Sequence, residues 1–380
     1  MISNKQASIH SNIILYTNLF RFLFILLISV LYGDGLSAQV NRNTVKCGQY
    51  ADSVRQAYHI PELGYAVVSS DNILDLRIFG YKRAGTSFKA ELTDRFHIGS
   101  NTKAITAFIA ATLIKEKKLS WDTKFFNLFP ELKKNARHIY DNITLGDLVS
   151  FRGKLPSYTY TFDKPTRKEI KGSPSMQRYH LAKYFLSQDP MREENGLTPS
   201  NVDYILAGLM LEKASGKSYK ALVTNLGKSL GIKFHFDYPN SSDVQQTWGH
   251  DTEMHPIPPA NLYKLNWLLS AGNINISLVD YVKFIRMQLR GIKGQESLLT
   301  KNEFDYLLFG LPVFSMGWFN KVDDNSKNTI AFNIGNAGAF ITEVQIIKKT
   351  GIAYIVFTNS ASKQTEEGVE ILLNHLKQNF

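Results

Sequence analysis

The stretch FHIGSNTKAITA, residues 96–107, decides how this chain is interpreted. Ser100 and Lys103 stand three residues apart, a spacing that places both side chains on one face of a helix. Serine becomes a nucleophile only beside a base, and a lysine whose pKa is lowered by burial can serve as that base. The stretch therefore predicts a nucleophilic Ser100 at the start of a helix, with Lys103 as its catalytic partner.

The flanking residues favour this interpretation over its alternative. Gly99 permits a tight turn, and residues 106–114 are almost entirely apolar, as in a buried helix. A helix N-terminus also presents free N–H groups that stabilise developing negative charge. The alternative is an N-capping Ser100 followed by a solvated Lys103, and the Ser-x-x-Lys spacing alone leaves both open.

The first 38 residues have the composition of a secretory signal peptide. Lys5 and Arg21 precede an apolar run at 22–32, and Leu36-Ser37-Ala38 resembles a small-residue cleavage site. The apolar run is short for a membrane span, and an uncleaved N-terminal anchor is the alternative. We therefore expect residues 39–380 to form the mature domain, in a secreted or periplasmic protein.

The composition is that of a globular protein with a basic surface. The chain has 380 residues, 44% of them hydrophobic, and a formal net charge of +11. A basic surface suits contact with an anionic cell envelope. The cations are not interleaved with aromatic residues as in nucleic-acid grooves, so no nucleic-acid partner is predicted. Cys47 is the single cysteine, which excludes an internal disulfide.

Hydrophobic patterns place strands near both ends of the chain and helices between them. Helices are expected at 202–214, 278–289 and 366–377, strands at 65–69, 74–79, 340–347 and 352–357, and mainly loops at 155–198, where prolines recur. This order predicts an α+β fold. A mixed lobe, about 48–115 and 310–380, would hold an antiparallel sheet that is flanked by helices and completed by both chain ends. A mostly helical lobe, about 116–309, would be inserted.

Ordered matches over about residues 50–378 resemble the penicillin-recognising serine hydrolases, which include class C β-lactamases, D-alanyl-D-alanine carboxypeptidases and related esterases. Besides the nucleophile motif at 98–103, the matching stretches are KLSWD at 118–122, SNVDYILAG at 200–208, ASGKSY at 214–219, SAGNI at 270–274 and SMGW at 315–318. The corresponding family stretches read GKLSLDD, YSNxGYxLLG, SGKSY, AGGL and GLGW. The resemblance implies a β-lactamase/transpeptidase-like fold and an acyl-enzyme on Ser100, formed from a small-molecule or peptide acyl substrate. It implies no cofactor and no metal ion.

Two motifs of that family are altered here. Its Tyr-x-Asn motif reads Pro199-Ser200-Asn201, so only Asn201 carries over, and proline cannot relay a proton. By order along the chain, Asn333-Ile334-Gly335 occupies the place of the Lys-Thr-Gly or His-x-Gly motif. Lys349-Thr350-Gly351 lies instead in the turn between the last two predicted strands. The resemblance thus implies Asn201, Asn333, Gly335 and Gly338 as substrate-binding residues.

Two functions stay open. In an active serine hydrolase, the N–H of Ser100 and one from residues 337–339 would form an oxyanion hole. In a binding or regulatory protein, the fold would be kept while the residues at 199 and 333 impair turnover. Tyr158 or Tyr160 could replace the missing phenol, whereas Tyr204 is expected in the core.

The histidines of the chain do not indicate a metal site. His235, His250 and His255 lie near Asp251 and Glu253, but none has the spacing of a helical motif such as His-Glu-x-x-His. No metal site is therefore predicted. The oligomeric state does not follow from the sequence.

Overall fold

The computed structural model describes residues 43–260, 262–323 and 326–380. The predicted signal peptide at 1–38 lies outside these residues. Residues 43–50 are helical and belong to one compact unit. Ala51–Gln378 form a second, larger unit, which contains the strands and helices discussed below except Asn379, the last residue of the closing helix. Among the described residues, no helix is both long and apolar enough to cross a membrane.

A six-stranded antiparallel sheet is assembled from two distant parts of the chain. Its strand order is β2-β1-β9-β8-β7-β6. The strands are β1 (Glu62–Ser69), β2 (Ile73–Gly80), β6 (Phe319–Val322), β7 (Thr329–Asn336), β8 (Ile341–Ile347) and β9 (Ile352–Thr358). Strand β1 is buried along almost its whole length, as expected for a strand covered on both faces. The predicted α+β fold, with a sheet completed by both chain ends, is confirmed.

A smaller sheet and a set of helices lie between these two parts in the sequence. The small sheet has the order β3-β5-β4, with β3 at Arg95–His97, β4 at His235–Phe236 and β5 at Ile274–Ser277. The helices are α1 (Thr102–Lys115), α2 (Phe125–Leu128), α3 (Pro130–Lys133), α4 (Leu145–Val149), α5 (Pro174–Leu186), α6 (Asn201–Ser215), α7 (Tyr219–Leu230), α8 (Pro239–Ser242), α9 (Tyr263–Trp267), α10 (Leu269–Gly272), α11 (Leu278–Ile292) and α12 (Lys301–Phe309). Helix α13 (Lys363–Asn379) closes the chain.

Helix α1 is the central element of the core. Every residue from 102 to 111 is buried, because the sequence is apolar on all sides of the helix. Helices α6 and α10 both contact α1. The N-terminal end of α1 is therefore enclosed by backbone and side chains from two other helices.

Most of the predicted elements are present, with two differences. The segment 155–198 is mainly loop, as predicted, but it also contains helix α5, which Ser173 caps and whose first turn holds Pro174. Helix α11, which the sequence analysis assigned to the helical lobe, packs against β1 and β9 of the large sheet. The exact boundaries of two lobes therefore remain a prediction. Lys349-Thr350-Gly351 does lie in the turn between β8 and β9.

Candidate active site

Ser100 lies in a single 3-10 turn, Gly99–Asn101, between β3 and α1. The preceding histidine holds this turn, because the Gly99 N–H donates to Nδ1 of His97 at 3.2 Å. Nε2 of His97 lies 3.2 Å from Oδ1 of Asn273. Burial lowers the pKa of His97 to about 4, so the ring is neutral and Nε2–H donates to Asn273. His97 carries no motif signal, so its role could not be predicted from the sequence.

Lys103 lies one turn after the serine and is almost fully buried, with 3% of its surface exposed. Its Nζ makes three hydrogen bonds, to Ser100 Oγ at 3.0 Å, Asn201 Oδ1 at 2.7 Å and the Ala271 carbonyl oxygen at 2.8 Å. The Tyr204 ring lies 5.4 Å from the same nitrogen. The structure thus brings Ser100, Lys103 and Asn201 together, and the solvated-lysine alternative is wrong.

Burial also gives Lys103 the acid–base properties that a general base requires. Desolvation lowers its pKa to about 7, while the negative charge of Asp203 opposes the shift. A neutral amine has two N–H groups and one lone pair. Asn201 Oδ1 and the Ala271 carbonyl can accept only from N–H groups, which leaves the lone pair directed at the Ser100 hydroxyl.

Asn201 begins helix α6, and Ser200 caps this helix by accepting from the Val202 N–H. The Asn201 amide nitrogen donates to the Tyr158 carbonyl at 2.9 Å, which turns Oδ1 toward Lys103. Asn201, which the family resemblance implied as a substrate-binding residue, therefore orients the Lys103 amine.

The tyrosines near the site differ in what their rings and hydroxyl groups contact. Tyr158 is buried with its ring against Phe185, and burial raises its pKa far above the ordinary value. Tyr204 is a core residue, as predicted, and its hydroxyl donates to the Val149 carbonyl at 2.6 Å. Within the described part of the chain, no tyrosine hydroxyl hydrogen-bonds to Ser100 or Lys103.

Tyr160 lies at a different place, against the hairpin turn between β7 and β8. A Cβ atom on Gly338 would be 2.3 Å from the Tyr160 hydroxyl oxygen. Gly338 itself has a φ of +74° and a partly exposed backbone. These two residues form a contact between the loop that follows α4 and the large sheet.

Strand β7 borders the serine turn through its last residue. The Ala337 N–H donates to the Phe340 carbonyl, so residues 337 and 340 form a hydrogen-bonded pair. Hydrogen-bonded and non-hydrogen-bonded residue pairs alternate along two antiparallel strands. The next pair, Asn336 with Ile341, is therefore non-hydrogen-bonded, and the N–H of Asn336 points away from β8. A Cβ atom on Gly99 would lie 2.9 Å from this nitrogen. The Asn336 N–H therefore lies beside the serine turn and has no acceptor on β8.

Asn333 and Gly335 both contact the protein backbone in the structure. The Asn333 side chain is buried, with 1% of the residue exposed, and its amide donates to the Gly317 carbonyl at 2.7 Å. It therefore ties β7 to the segment before β6 and does not face a substrate. Gly335 is also buried, and a Cβ atom there would lie 1.9 Å from the Ile98 carbonyl oxygen. Its role is to let β7 approach the serine turn.

The histidine cluster has structural partners instead of metal-binding geometry. Nε2 of His250 accepts from the Ala84 N–H at 3.0 Å, which leaves a proton on Nδ1 for the Asn359 carbonyl at 2.8 Å. His255 lies on the surface beside Asp251 and Glu253. No group of three or more potential metal ligands occurs among the described residues.

Known proteins are similar to this chain in sequence, and others are similar in architecture. Protein flp of Staphylococcus aureus (strain NCTC 8325 / PS 47) is 23% identical over 83% of this chain and 63% of its own length. Unguisins hydrolase ungD' of Aspergillus campestris (strain IBT 28561) is 21% identical over 85% of this chain and 63% of its own length. The chain thus spans less than two thirds of these curated relatives.

The class C β-lactamase of Rhodobacter sphaeroides superimposes with a TM-score of 0.68 at 17% identity, covering 87% of this chain and 99% of that one. This similarity shows the fold. The Beta-lactamase family model matches residues 48–377, which is most of the chain. With Ser100 and Lys103 joined at the head of α1 inside that span, the chain belongs to the Beta-lactamase family.

Proposed function

We propose that the protein is a serine hydrolase that cleaves ester or amide acyl groups through a covalent intermediate on Ser100. The observation that carries this proposal is the 3.0 Å hydrogen bond between Lys103 Nζ and Ser100 Oγ, formed by an amine whose pKa is about 7. Hydrolase chemistry is also found in the relatives, such as the unguisins hydrolase.

The acylation step follows from the geometry of these groups. Lys103 accepts the Ser100 proton as Oγ forms a bond to the acyl carbon, and the charge on the carbonyl oxygen meets the N–H groups of Ser100 and Asn336. The Ser100 N–H lies at a helix start, where backbone donors have no acceptor within the helix. Lys103 then gives its proton to the leaving group as the bond from that group to the acyl carbon breaks.

Hydrolysis of the acyl-enzyme uses Lys103 as the base a second time. Lys103 is neutral again after the leaving group departs, so it can take a proton from water as the water oxygen attacks the acyl carbon. The released serine oxygen then recovers that proton. No cofactor or metal ion enters these steps.

A second candidate function is a binding or regulatory protein with slow turnover. Two observations favour it. The position before Ser200 is occupied by an exposed proline, Pro199, and the buried Tyr158 hydroxyl donates to neither Ser100 nor Lys103. Loss of a proton-transfer group costs about 10²–10⁴-fold in rate. In this case the acyl group would remain on Ser100 for long periods.

We also propose that the protein acts outside the cytoplasm, on a small-molecule or peptide acyl substrate. Support for export comes from the signal-like composition of residues 1–38. The net charge of +11 supports contact with an anionic cell envelope.

Labelling with a fluorophosphonate tests the proposal. Intact-mass analysis should show one added probe on the wild type and none on Ser100→Ala, with Ser120→Ala, an exposed serine, as the matched control. Equal labelling of wild type and Ser100→Ala would contradict the assignment of the nucleophile. Labelling of neither would favour the binding protein. Slow loss of the acyl group from enzyme treated with an activated ester would favour the slow-turnover candidate.

A further inference from the structure

Tyr160 bridges two walls of the protein that both start at Ser100. Its aromatic ring lies against Gly338 in the β7–β8 turn, where a Cβ atom would be 2.3 Å from the hydroxyl oxygen and 3.0 Å from Cζ. Any side chain at 338 would therefore collide with the tyrosine. Acylation and hydrolysis as described above use no atom of Tyr160, so its position across the site calls for an explanation.

The first wall is the end of strand β7 and the turn that follows it. Gly99 touches the backbone of Asn336, because a Cβ atom on Gly99 would lie 2.9 Å from the Asn336 nitrogen. Two residues later the chain reaches Gly338, whose N–H donates to the Asn336 side chain at 2.8 Å. The Tyr238 hydroxyl donates to the Ala337 carbonyl at 2.6 Å and so holds the same turn. This wall therefore runs without a break from the serine turn to the hairpin turn.

The second wall is the loop that follows α4. Lys103 Nζ is bonded to the Ser100 hydroxyl at 3.0 Å and to the Asn201 amide oxygen at 2.7 Å. The Asn201 amide nitrogen donates to the Tyr158 carbonyl at 2.9 Å, and two residues later the chain reaches Tyr160. The contact of Tyr160 with the hairpin turn thus completes a circle of contacts that begins and ends at Ser100.

Several contacts fix the loop that carries Tyr160. Lys264 Nζ, on α9, donates to the Tyr160 carbonyl at 3.1 Å and to the Phe162 carbonyl at 2.5 Å. The Tyr158 ring is buried, with its centroid 5.1 Å from that of Phe185. Tyr160 is therefore held by the backbone contacts of its own loop and forms a fixed boundary opposite the serine.

We propose that Tyr160 is a specificity-determining residue, whose side chain limits the acyl group on Ser100 to a short chain. In the acyl-enzyme the acyl carbon is bonded to Ser100 Oγ, so its chain has to fit inside the circle of contacts. The leaving group has to escape, and it departs on the side where Ser100 is partly exposed. This inference rests on the proposed function, because it assigns an acyl group to Ser100.

The role of Tyr160 is one of bulk and not of proton transfer. Burial raises the pKa of its phenol above the ordinary value, so the hydroxyl stays protonated near neutral pH. Replacement by phenylalanine keeps the aromatic ring and should preserve the size limit. Replacement by alanine or leucine removes the part of the side chain that reaches Gly338 and should relax it.

The direct test measures access to position 100 with reagents that need no hydrolase activity. The thiol introduced by Ser100→Cys reacts with methyl and hexyl methanethiosulfonate, and intact-mass analysis gives both rates. Adding Tyr160→Ala or Tyr160→Leu should raise the ratio of the hexyl rate to the methyl rate at least about tenfold. Adding Tyr160→Phe, or Tyr184→Ala at a separate cavity, should leave this ratio unchanged. The wild type, whose one thiol is the buried Cys47, gives the background.

Nitrophenyl esters extend the test to an active enzyme, with the leaving group held constant. The wild type should prefer the acetate to the octanoate, and Tyr160→Ala should raise the octanoate-to-acetate ratio of kcat/KM at least about tenfold. If the thiol ratio rises but neither esters nor fluorophosphonate react with Ser100, the size limit stands and the hydrolase proposal fails. If the thiol ratio is unchanged in both folded variants, Tyr160→Ala and Tyr160→Leu, the inference is overturned. An active enzyme whose ester ratio stays constant in Tyr160→Ala would overturn it as well.

Discussion

The side-chain amide of Asn201 donates to the Tyr158 carbonyl at 2.9 Å and thereby presents its oxygen to the buried amine of Lys103. This bond decides which end of the amide faces the lysine. A carbonyl-type oxygen accepts an N–H without adding charge, so Lys103 is oriented while its pKa stays low. The following predictions start from this arrangement.

Asn201→Asp should raise the pKa of Lys103. The change puts a carboxylate 2.7 Å from Nζ, the present distance to Oδ1, and an opposite charge so close favours the ammonium form by about 1–3 pKa units. The acid limb of kcat/KM for an activated ester should move to higher pH, with a lower rate at pH 7. Asn135→Asp, at an exposed position, is the control. An unmoved limb in Asn201→Asp would show that Lys103 is not the titrating base.

The wild-type enzyme should gain activity as the pH rises through about 7. Below that value Lys103 is protonated and has no lone pair for the Ser100 proton, and above it the amine is free. The rate of fluorophosphonate inactivation should follow the same curve as kcat/KM. Lys103→Met should lose both reactions by at least about 10²-fold. A rate that falls with rising pH between 6 and 8 would contradict this mechanism.

Substrates without a carboxylate should react faster than those with one. Strand β7, residues 329–336, carries no cationic residue, and Asn333 is already bound to the Gly317 carbonyl. A cephalosporin and its carboxyl methyl ester form a matched pair, and the methyl ester should acylate Ser100 at least as fast. Turnover of the free acid with kcat/KM above about 10⁴ M⁻¹s⁻¹ would show that the site binds a carboxylate well.

Asn333→Ala and Lys349→Ala should differ in stability. The first leaves the buried Gly317 carbonyl without its donor and should cost about 1–3 kcal/mol in the free energy of unfolding. Lys349 is exposed in the β8–β9 turn, so its removal should change stability by less than about 0.5 kcal/mol and leave esterase activity unchanged. Denaturant unfolding and one ester assay measure both. A large loss of activity in folded Lys349→Ala would place the family's third motif at 349–351.

His97 should make stability depend on pH. Its pKa of about 4 in the folded chain lies below the ordinary 6.5, so the unfolded chain binds more protons between these values. The stability that His97 contributes is complete above pH 6.5 and is lost as the pH falls toward 4. The loss over this range is about 3 kcal/mol. His97→Gln lacks this titration, so the stability difference between wild type and variant should shrink from pH 7 to pH 4.5. A constant difference would mean that the ring does not titrate there.

The sequence was sufficient to predict the fold and the contact between Ser100 and Lys103, because both depend on local patterns. Continuous apolar runs mark β1 and β9, and a spacing of three residues brings Ser100 to Lys103 on any helix. The Ala271 carbonyl could not be predicted, since a backbone acceptor has no signature in the sequence.

The side-chain contacts of β7 were harder to predict from the sequence, because they too depend on tertiary packing. Family order placed Asn333 on β7, which borders the serine turn, but the direction of its side chain depends on the Gly317 segment, which packs against it. The contact between Tyr160 and Gly338 joins distant parts of the chain, so no local pattern predicts it.

The pairing of β1 with β9 also bears on the order of events in folding. The Glu62 N–H donates to the side chain of Asn359, 297 positions later, so the sheet cannot close until the C-terminal strands have been synthesised. Contacts of such long range make folding slow. Gly317 packs against the backbone of Lys103, so part of what dehydrates this lysine also comes from the late segment. In a nascent chain that lacks these strands, Lys103 is therefore more hydrated, and the surroundings that lower its pKa are complete only when residues 317–358 have been synthesised.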